Sequence, residues 1–96
     1  MEALSLEACK KQLEQWPAWE VKDGKLHRAF QFKDFFQAFG FMTQVAMHAQ
    51  SMDHHPEWSN VYNRVEIALI THDAGPGISS KDFELLGRIE ASYQNT

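Results

Sequence analysis

Three histidines in the second half of the sequence have the chemistry of proton transfer. His54 and His55 are adjacent within residues 53–58 (DHHPEW), and His72 lies further along the chain. An unperturbed imidazole titrates at about pH 6.5, so it can donate or accept a proton near neutral pH. If the fold brings these side chains together, they could exchange protons with a bound molecule.

The segments around these histidines predict a β-hairpin. Residues 58–61 and 65–72 alternate apolar and polar side chains on either side of a turn at 62–64. An antiparallel hairpin returns the chain beside its start, so the strand end that carries His72 comes back near DHHPEW. The three imidazoles are therefore expected to share one edge of the sheet.

The residues alone leave other roles open. Two histidines before a proline could cap a helix C-terminus, where cations are favoured, and His27 and His48 are more simply explained as solvated or hydrogen-bonded side chains. Zinc could use imidazoles with Asp53 or Asp73, but adjacent histidines suit a single ion poorly. The sequence has no HExxH motif, cysteine pair or His-x-His spacing, so no metal is expected.

Composition limits the class of protein. The 96 residues correspond to one domain, 1–96, near the lower size at which a single core folds unaided. A net charge of −4 with scattered basic residues argues against binding nucleic acid through its phosphates. Cys9 is the only cysteine, which excludes an internal disulfide. With no signal-like N-terminus and no apolar stretch of about 18 residues, a soluble cytoplasmic protein is expected, with a nuclear location open.

Local signals predict the remaining elements of the first half. Apolar residues at helical spacing predict a first helix over 5–15. Asp23 and Gly24 lie between two apolar alternations, which is a strong hairpin signal. Strands are therefore expected over 19–21 and 26–32.

Two further helices complete the predicted order. Asp34 can cap a long helix that runs to about Met52. Ser79 is followed three residues later by Asp82, the spacing of a capping box, and begins the last helix. The order αββαββα predicts an α+β fold in which a four-stranded antiparallel sheet has its helices packed on one face.

The long helix carries two apolar stripes. The first consists of Phe35, Phe39, Met42, Ala46 and Ala49. The second consists of Ala38, Phe41, Val45, His48 and Met52. A small sheet can cover one stripe, and the other is either more core or a surface for a partner. Because its three- and four-residue steps suit helix pairing, the second stripe is expected to be an interface.

At this point the sequence resembles the pterin-4a-carbinolamine dehydratases. The resemblance is carried in continuous register by residues 32–35 (FKDF), 38–43 (AFGFMT), 53–58 (DHHPEW), 60–63 (NVYN) and 71–72 (TH). It implies the αββαββα fold and a hydro-lyase that removes water from 4a-hydroxytetrahydropterin. The product would be quinonoid dihydropterin, which is recycled as the cofactor of aromatic amino-acid hydroxylases. The pterin would be the substrate, and no cofactor is implied.

Carried over by position, the resemblance also implies a set of site residues. His54 and His72 would act as acids toward the leaving hydroxyl, and His55 would position the ring and accept the nitrogen proton. Asp53 would orient an imidazole, and Pro56 and Trp58 would form pocket walls. The residues implied to bind substrate are Asp53, Pro56, Trp58, Gln50 and Asp82. Members often carry a glutamate where this chain has Gln50, and a glutamine can hydrogen-bond the pterin but cannot act as acid or base.

For partners, the resemblance implies self-association through the second stripe, as a homodimer or homotetramer. Vertebrate members also bind a hepatocyte nuclear homeodomain factor through the same helix face. The alternative function is therefore a helix-mediated transcriptional coactivator, in which the histidines are incidental. Neither direct nucleic-acid binding nor membrane binding is implied.

Overall fold

The computed structural model describes residues 2–96, which form three α-helices and one four-stranded antiparallel sheet. The elements are α1 (Leu6–Gln12), β1 (Glu20–Lys22), β2 (Lys25–Gln31), α2 (Phe35–Met52), β3 (Glu57–Val61), β4 (Arg64–Leu69) and α3 (Ser80–Gln94). Their order confirms the predicted αββαββα arrangement, and the strands lie in the order β1-β2-β4-β3. No helix in this part of the chain is long and apolar enough to cross a bilayer.

Local sequence signals fix where these elements begin. The side chains of Ser5, Asp34 and Ser79 each accept a backbone N–H at the start of a helix, as expected for N-caps. Asp23 and Gly24 have φ values of 54° and 76°, the left-handed pair that a two-residue hairpin turn requires. Short-range chemistry therefore determines where the three helices begin and where the first hairpin turns.

The core lies between one face of the sheet and helices α2 and α3. Alternation along β2 and β4 directs one set of side chains to this face, opposite the charged outer face that carries His27 and Glu66. The buried strand residues are Leu26, Phe30, Val65, Ile67 and Leu69. The residues of α3 that pack against them are Leu85, Leu86 and Ile89.

Arg28 interrupts the apolar face of β2, and the fold compensates its charge. One guanidinium nitrogen, Nη1, donates to both carboxylate oxygens of Glu90, at 2.9 and 2.7 Å. The guanidinium carbon lies 4.3 Å from the ring centroid of Phe30 and 4.9 Å from that of Tyr93. An ion pair and two aromatic faces thus accommodate the charge at the margin of the core.

The structure contradicts the predicted interface on α2. Ala38, Phe41 and Val45 are 0%, 1% and 0% exposed, because α2 turns this stripe toward the sheet and α3. Met52 packs partly buried against the same core, and His48 is only partly exposed. The second stripe is therefore core, and the prediction of a partner surface there is wrong. The large apolar side chains that α2 exposes are Phe35, Phe36, Phe39 and Met47.

Replacing Phe41 with glutamate is consequently expected to unfold the protein rather than to change its assembly. The Phe41 ring centroid lies 4.9 Å from that of Phe30 and 5.0 Å from that of Phe32. Removing a core Phe costs about 3–5 kcal/mol, and an unpaired buried carboxylate adds to this, against a total stability of about 5–15 kcal/mol. Thermal denaturation by circular dichroism measures the effect. Val61→Glu is the control, because Val61 is 74% exposed; equal melting of both variants would contradict the core assignment.

Candidate active site

The C-terminal end of α2 sets the direction of His54 and His55. Asp53 adopts the left-handed conformation (φ 51°), which an aspartate tolerates better than most residues. The His54 N–H then donates to the Ala49 carbonyl at 3.0 Å, and the Asp53 N–H to that of Gln50 at 3.1 Å. This pair of bonds is a Schellman motif. The helix therefore ends in a fixed reversal that sets the direction in which His54 and His55 leave it.

His72 is held by a second reversal. The strand predicted to reach His72 ends at Leu69, so its predicted end is wrong by three residues. Thr71 instead pairs with Gly77 through backbone hydrogen bonds of 2.8 and 3.0 Å, because the Gly75–Gly77 loop folds back on the chain. His72 is the first residue inside the loop that this bridge closes, and it begins a 3₁₀ turn.

A cavity of about 390 Å³ lies between these two segments. Its size is within the range of small-molecule sites, about 300–1,000 Å³. The lining residues are Asp53, His54, His55, Pro56, Glu57, Ile70, Thr71, His72, Asp73 and Lys81. The structure thus brings all three histidines to one cavity, as the hairpin geometry predicted.

A buried carboxylate orients His54. The imidazole Nε2 lies 2.5 Å from Oδ1 of Asp82, which is fully buried, and His54 itself is only 9% exposed. An ionised carboxylate only accepts hydrogen bonds, so Nε2 carries the hydrogen and donates it. Nδ1 of His54 has no hydrogen-bond partner among residues 2–96 and is not one of their fully buried unpaired atoms, so it keeps some exposed surface.

Asp82 has two structural tasks. Its second oxygen, Oδ2, accepts the Thr71 hydroxyl at 2.8 Å and the Ser79 backbone N–H at 2.9 Å. The latter bond is half of the predicted capping box of α3, which the structure confirms. The local sequence pattern accounts for Asp82 as a cap, but the same carboxylate also holds the imidazole of His54.

The other residues implied to bind substrate divide into two groups. Asp53 and Pro56 line the cavity. Trp58 does not line it, because the register of β3 places it opposite Ile67 on the core side of the sheet. Gln50 accepts a hydrogen bond from Nε2 of His55 at 3.0 Å and so contacts the site through an imidazole.

The residue that orients an imidazole is Asp82 rather than Asp53. Asp82 has no exposed surface, so it cannot touch a ligand while His54 covers it. Its implied role as a direct substrate contact is therefore wrong in this structure. The resemblance placed both residues at the site, but no local motif indicated their direct contact, since 28 residues separate the two side chains. Thr71, Glu57 and Lys81 also line the cavity without having been singled out for it.

His27, Glu66 and Cys9 lie outside the cavity. His27 bridges Glu20 and Glu66 on the outer face of the sheet, at 3.2 and 3.1 Å, and its hydrogen bond lowers the pKa of Glu66. Burial raises the pKa of the Cys9 thiol, and the Asp82 carboxylate raises it further. A thiol of this kind stays protonated and is a poor nucleophile. Within residues 2–96, no three His, Cys, Asp or Glu side chains are placed to hold a metal ion.

Comparison with known proteins decides the family. The model of the family described as pterin 4 alpha carbinolamine dehydratase matches residues 2–92. The chain belongs to this family. A Solibacter usitatus protein provisionally named a pterin-4-alpha-carbinolamine dehydratase is 57% identical over 79 residues, which are 82% of this chain and 82% of the relative. A Rhodospirillum rubrum protein with the same provisional name is 53% identical over 85 residues, 86% of this chain and 88% of that one.

A solved structure extends the match to the pterin dehydratase fold. The crystal structure described as a transcriptional coactivator/pterin dehydratase from Brucella melitensis is 38% identical, with a TM-score of 0.90. The match covers 96% of this chain and 99% of that one. The resemblance carried by DHHPEW and its neighbouring segments is therefore confirmed as family membership.

Proposed function

We propose that this protein is a 4a-hydroxytetrahydropterin dehydratase, a hydro-lyase that expels water from the pterin ring. The observation that carries the proposal is the cavity of about 390 Å³ bordered by His54, His55 and His72, one of which is oriented by a buried carboxylate. Family membership and the names of relatives support the same substrate class. Recycling of the cofactor of aromatic amino-acid hydroxylases is the corresponding role.

The reaction needs two proton transfers and no change in oxidation state. The bond from ring carbon 4a to the hydroxyl breaks with its electron pair on oxygen, and a proton delivered to that oxygen makes it water. The neighbouring ring nitrogen loses its proton, and the freed pair forms the carbon–nitrogen double bond. Positioned acid and base groups contribute about 10²–10⁴-fold each to such a step.

His54 and His72 are proposed as the proton donors to the leaving hydroxyl. With Nε2 of His54 bound to Asp82, the nitrogen available to a ligand is Nδ1, and the carboxylate stabilises the imidazolium that would donate from it. His72 reaches the cavity from the other segment and is exposed. The two imidazoles therefore approach a bound ring from different elements of the fold.

His55 is proposed as the acceptor of the nitrogen proton. Its Nε2 donates to Oε1 of Gln50 at 3.0 Å, which leaves Nδ1 with a free electron pair. Gln50 holds this tautomer without adding a negative charge. The glutamine found here in place of the family's usual glutamate is thus compatible with a positioning role.

The test is the loss of 4a-hydroxytetrahydropterin, followed optically in a stopped-flow instrument with and without the protein at matched pH. The hydro-lyase proposal predicts that catalytic amounts accelerate the loss many-fold and yield quinonoid dihydropterin. His48→Ala, in which a histidine outside the cavity is removed, is expected to be as active as the unchanged protein. A rate equal to that of buffer alone would refute the proposal.

The exposed apolar side of α2 is proposed to mediate self-association as a dimer or tetramer. Phe35, Phe36, Phe39 and Met47 fall within an arc of about 120° when projected at about 100° per residue. They are 48–88% exposed, and contiguous apolar surface of this kind usually marks an interface.

Phe36→Glu is therefore expected to lower the mass measured by sedimentation equilibrium, because it places a charge at the most exposed of these four side chains. Val61→Glu changes another exposed apolar residue, on β3, and is expected to leave the mass unchanged. An unaltered mass for Phe36→Glu would contradict the assignment.

A second candidate function is a helix-mediated coactivator of a homeodomain factor. The observation in its favour is the same apolar side of α2, together with the description of the Brucella melitensis protein as a transcriptional coactivator. Two variants distinguish the coactivator function from dehydration. Binding of such a factor would be lost with Phe36→Glu and retained with His54→Gln, whereas dehydration would respond to His54→Gln.

A further inference from the structure

We infer that Thr71 is a positioning residue that links the two halves of the histidine site. It acts through its hydroxyl on His54 and through its backbone on His72. Neither the sequence pattern nor the family name assigns it this task. The inference rests on the proposed dehydration for its kinetic consequences, but its geometric content can be tested without that reaction.

The hydroxyl of Thr71 belongs to a buried hydrogen-bond network that ends at His54. Its Oγ1 donates to Oδ2 of Asp82 at 2.8 Å and lies 2.6 Å from Oγ of Ser79. Because the Thr71 hydrogen is committed to the carboxylate, Ser79 is the donor of the second bond. The other oxygen of Asp82 accepts from His54. The four residues are 0–9% exposed, so water cannot replace a missing partner freely.

The backbone of Thr71 fixes the loop that carries His72. Its N–H and C=O both pair with Gly77, which closes the loop over residues 72–76. Gly77 is itself braced by the N-terminal segment, since a Cβ built on it would lie 2.7 Å from that of Ala3. The neighbouring Leu4 N–H donates to the Ile78 carbonyl at 2.7 Å. The Thr71–Gly77 bridge that closes the loop is therefore also packed against the N-terminal segment.

These two sets of contacts meet in one residue. The direction of the His54 ring depends on Asp82, and the direction of Asp82 depends on the Thr71 hydroxyl. The position of His72 depends on the backbone bridge between Thr71 and Gly77. A change limited to the hydroxyl should therefore disturb His54 and leave the loop in place.

Thr71→Val is the variant that makes this change, because valine keeps the branched shape and lacks the hydroxyl. We expect kcat to fall about 10-fold, the factor that follows from one hydrogen bond to a charged group. KM should change little, since the cavity keeps its shape. Thr71→Ser restores the hydroxyl and should restore kcat. Thr43→Val is the matched control, because the Thr43 hydroxyl bonds only the Phe39 carbonyl on the surface of α2.

The nitrogen-15 NMR signals of the His54 ring test the geometry directly. The unchanged protein and Thr71→Ser are expected to show the Nε2–H tautomer, and Thr71→Val a shift toward a mixture of tautomers. Unchanged ring signals in Thr71→Val would overturn the inference, as would a kcat equal to that of the unchanged protein. If Thr71→Val does not fold, Thr71→Ala decides, since it removes the same hydroxyl from Asp82 and should shift the same signals; unaltered signals there would overturn the inference too. Absence of dehydration in the unchanged protein would refute the proposed function and leave this NMR test standing.

Discussion

Replacing His54 with glutamine is expected to slow dehydration of 4a-hydroxytetrahydropterin by about 10²–10⁴-fold, the usual contribution of one positioned acid. Glutamine can still donate a hydrogen bond to the buried Asp82 carboxylate, so the fold should survive. Its amide cannot donate and accept a proton as the Nδ1 of an imidazole does. The loss should therefore appear in kcat with little change in melting temperature.

The other cavity histidines extend this comparison. His72→Ala is expected to cost a similar factor, because His72 reaches the cavity from the opposite segment. His55→Ala should also lower kcat, since it removes the proposed proton acceptor. His48→Ala is the matched control, because His48 lies on α2 and does not line the cavity. Rates equal to that of the unchanged protein in all three cavity variants would end the acid–base assignment.

Removing the carboxylate behind His54 should affect both stability and rate. Asp82→Ala deletes the acceptor for His54, the Thr71 hydroxyl and the Ser79 N–H, all of them buried. Leaving such groups unpaired costs about 1–3 kcal/mol each when no relaxation occurs, so a loss of about 2–5 kcal/mol is expected. Urea denaturation measures this loss.

Asp82→Asn separates the two tasks of this residue. The amide keeps the volume of the side chain and an oxygen for the Ser79 N–H, so stability should fall less than with alanine. Its NH₂ group cannot accept from Nε2 of His54, and the ring is driven toward the other tautomer. The rate of dehydration should therefore fall as far as with Asp82→Ala.

Asp34→Ala is the matched control for helix capping. It removes the N-cap of α2, which is worth about 1 kcal/mol, and it lies away from the histidine cavity. A loss of stability with an unchanged rate is expected. If Asp82→Ala behaved in the same way, Asp82 would be a capping residue alone, and its role toward His54 would be refuted.

Elements fixed by neighbouring residues could be predicted from the sequence. The N-caps at Ser5, Asp34 and Ser79 and the hairpin turn at Asp23 and Gly24 depend on a few adjacent side chains, so their signals are complete within the local sequence. The convergence of the histidines was also predictable, because antiparallel pairing alone returns one end of a hairpin to its start.

Features decided by packing could not be predicted in the same way. The two stripes of α2 have similar apolar content, and which one faces inward depends on Phe30 and Phe32 and on the position of α3. The sequence pattern therefore predicted that Phe41 lies at the surface, although its ring packs against the rings of Phe30 and Phe32.

The His54–Asp82 contact and the position of Trp58 have the same kind of cause. The first joins residues from the end of α2 and the start of α3, which only the assembled fold places side by side. The second depends on the register of β3 against β4, which puts Trp58 opposite Ile67. Register and helix docking are properties of the whole chain, so single motifs do not contain them.

The most direct test of the cavity as the site of dehydration is a crystal structure of the protein with a bound 7,8-dihydropterin. The bicyclic ring is predicted to occupy the cavity between His54 and His72, with ring carbon 4a facing the two imidazoles at a distance that leaves room for a hydroxyl. His55 should lie within about 2.6–3.2 Å of the neighbouring ring nitrogen or reach it through one water. A pterin bound elsewhere on the protein, with the three histidines out of reach of its ring, would contradict the mechanism.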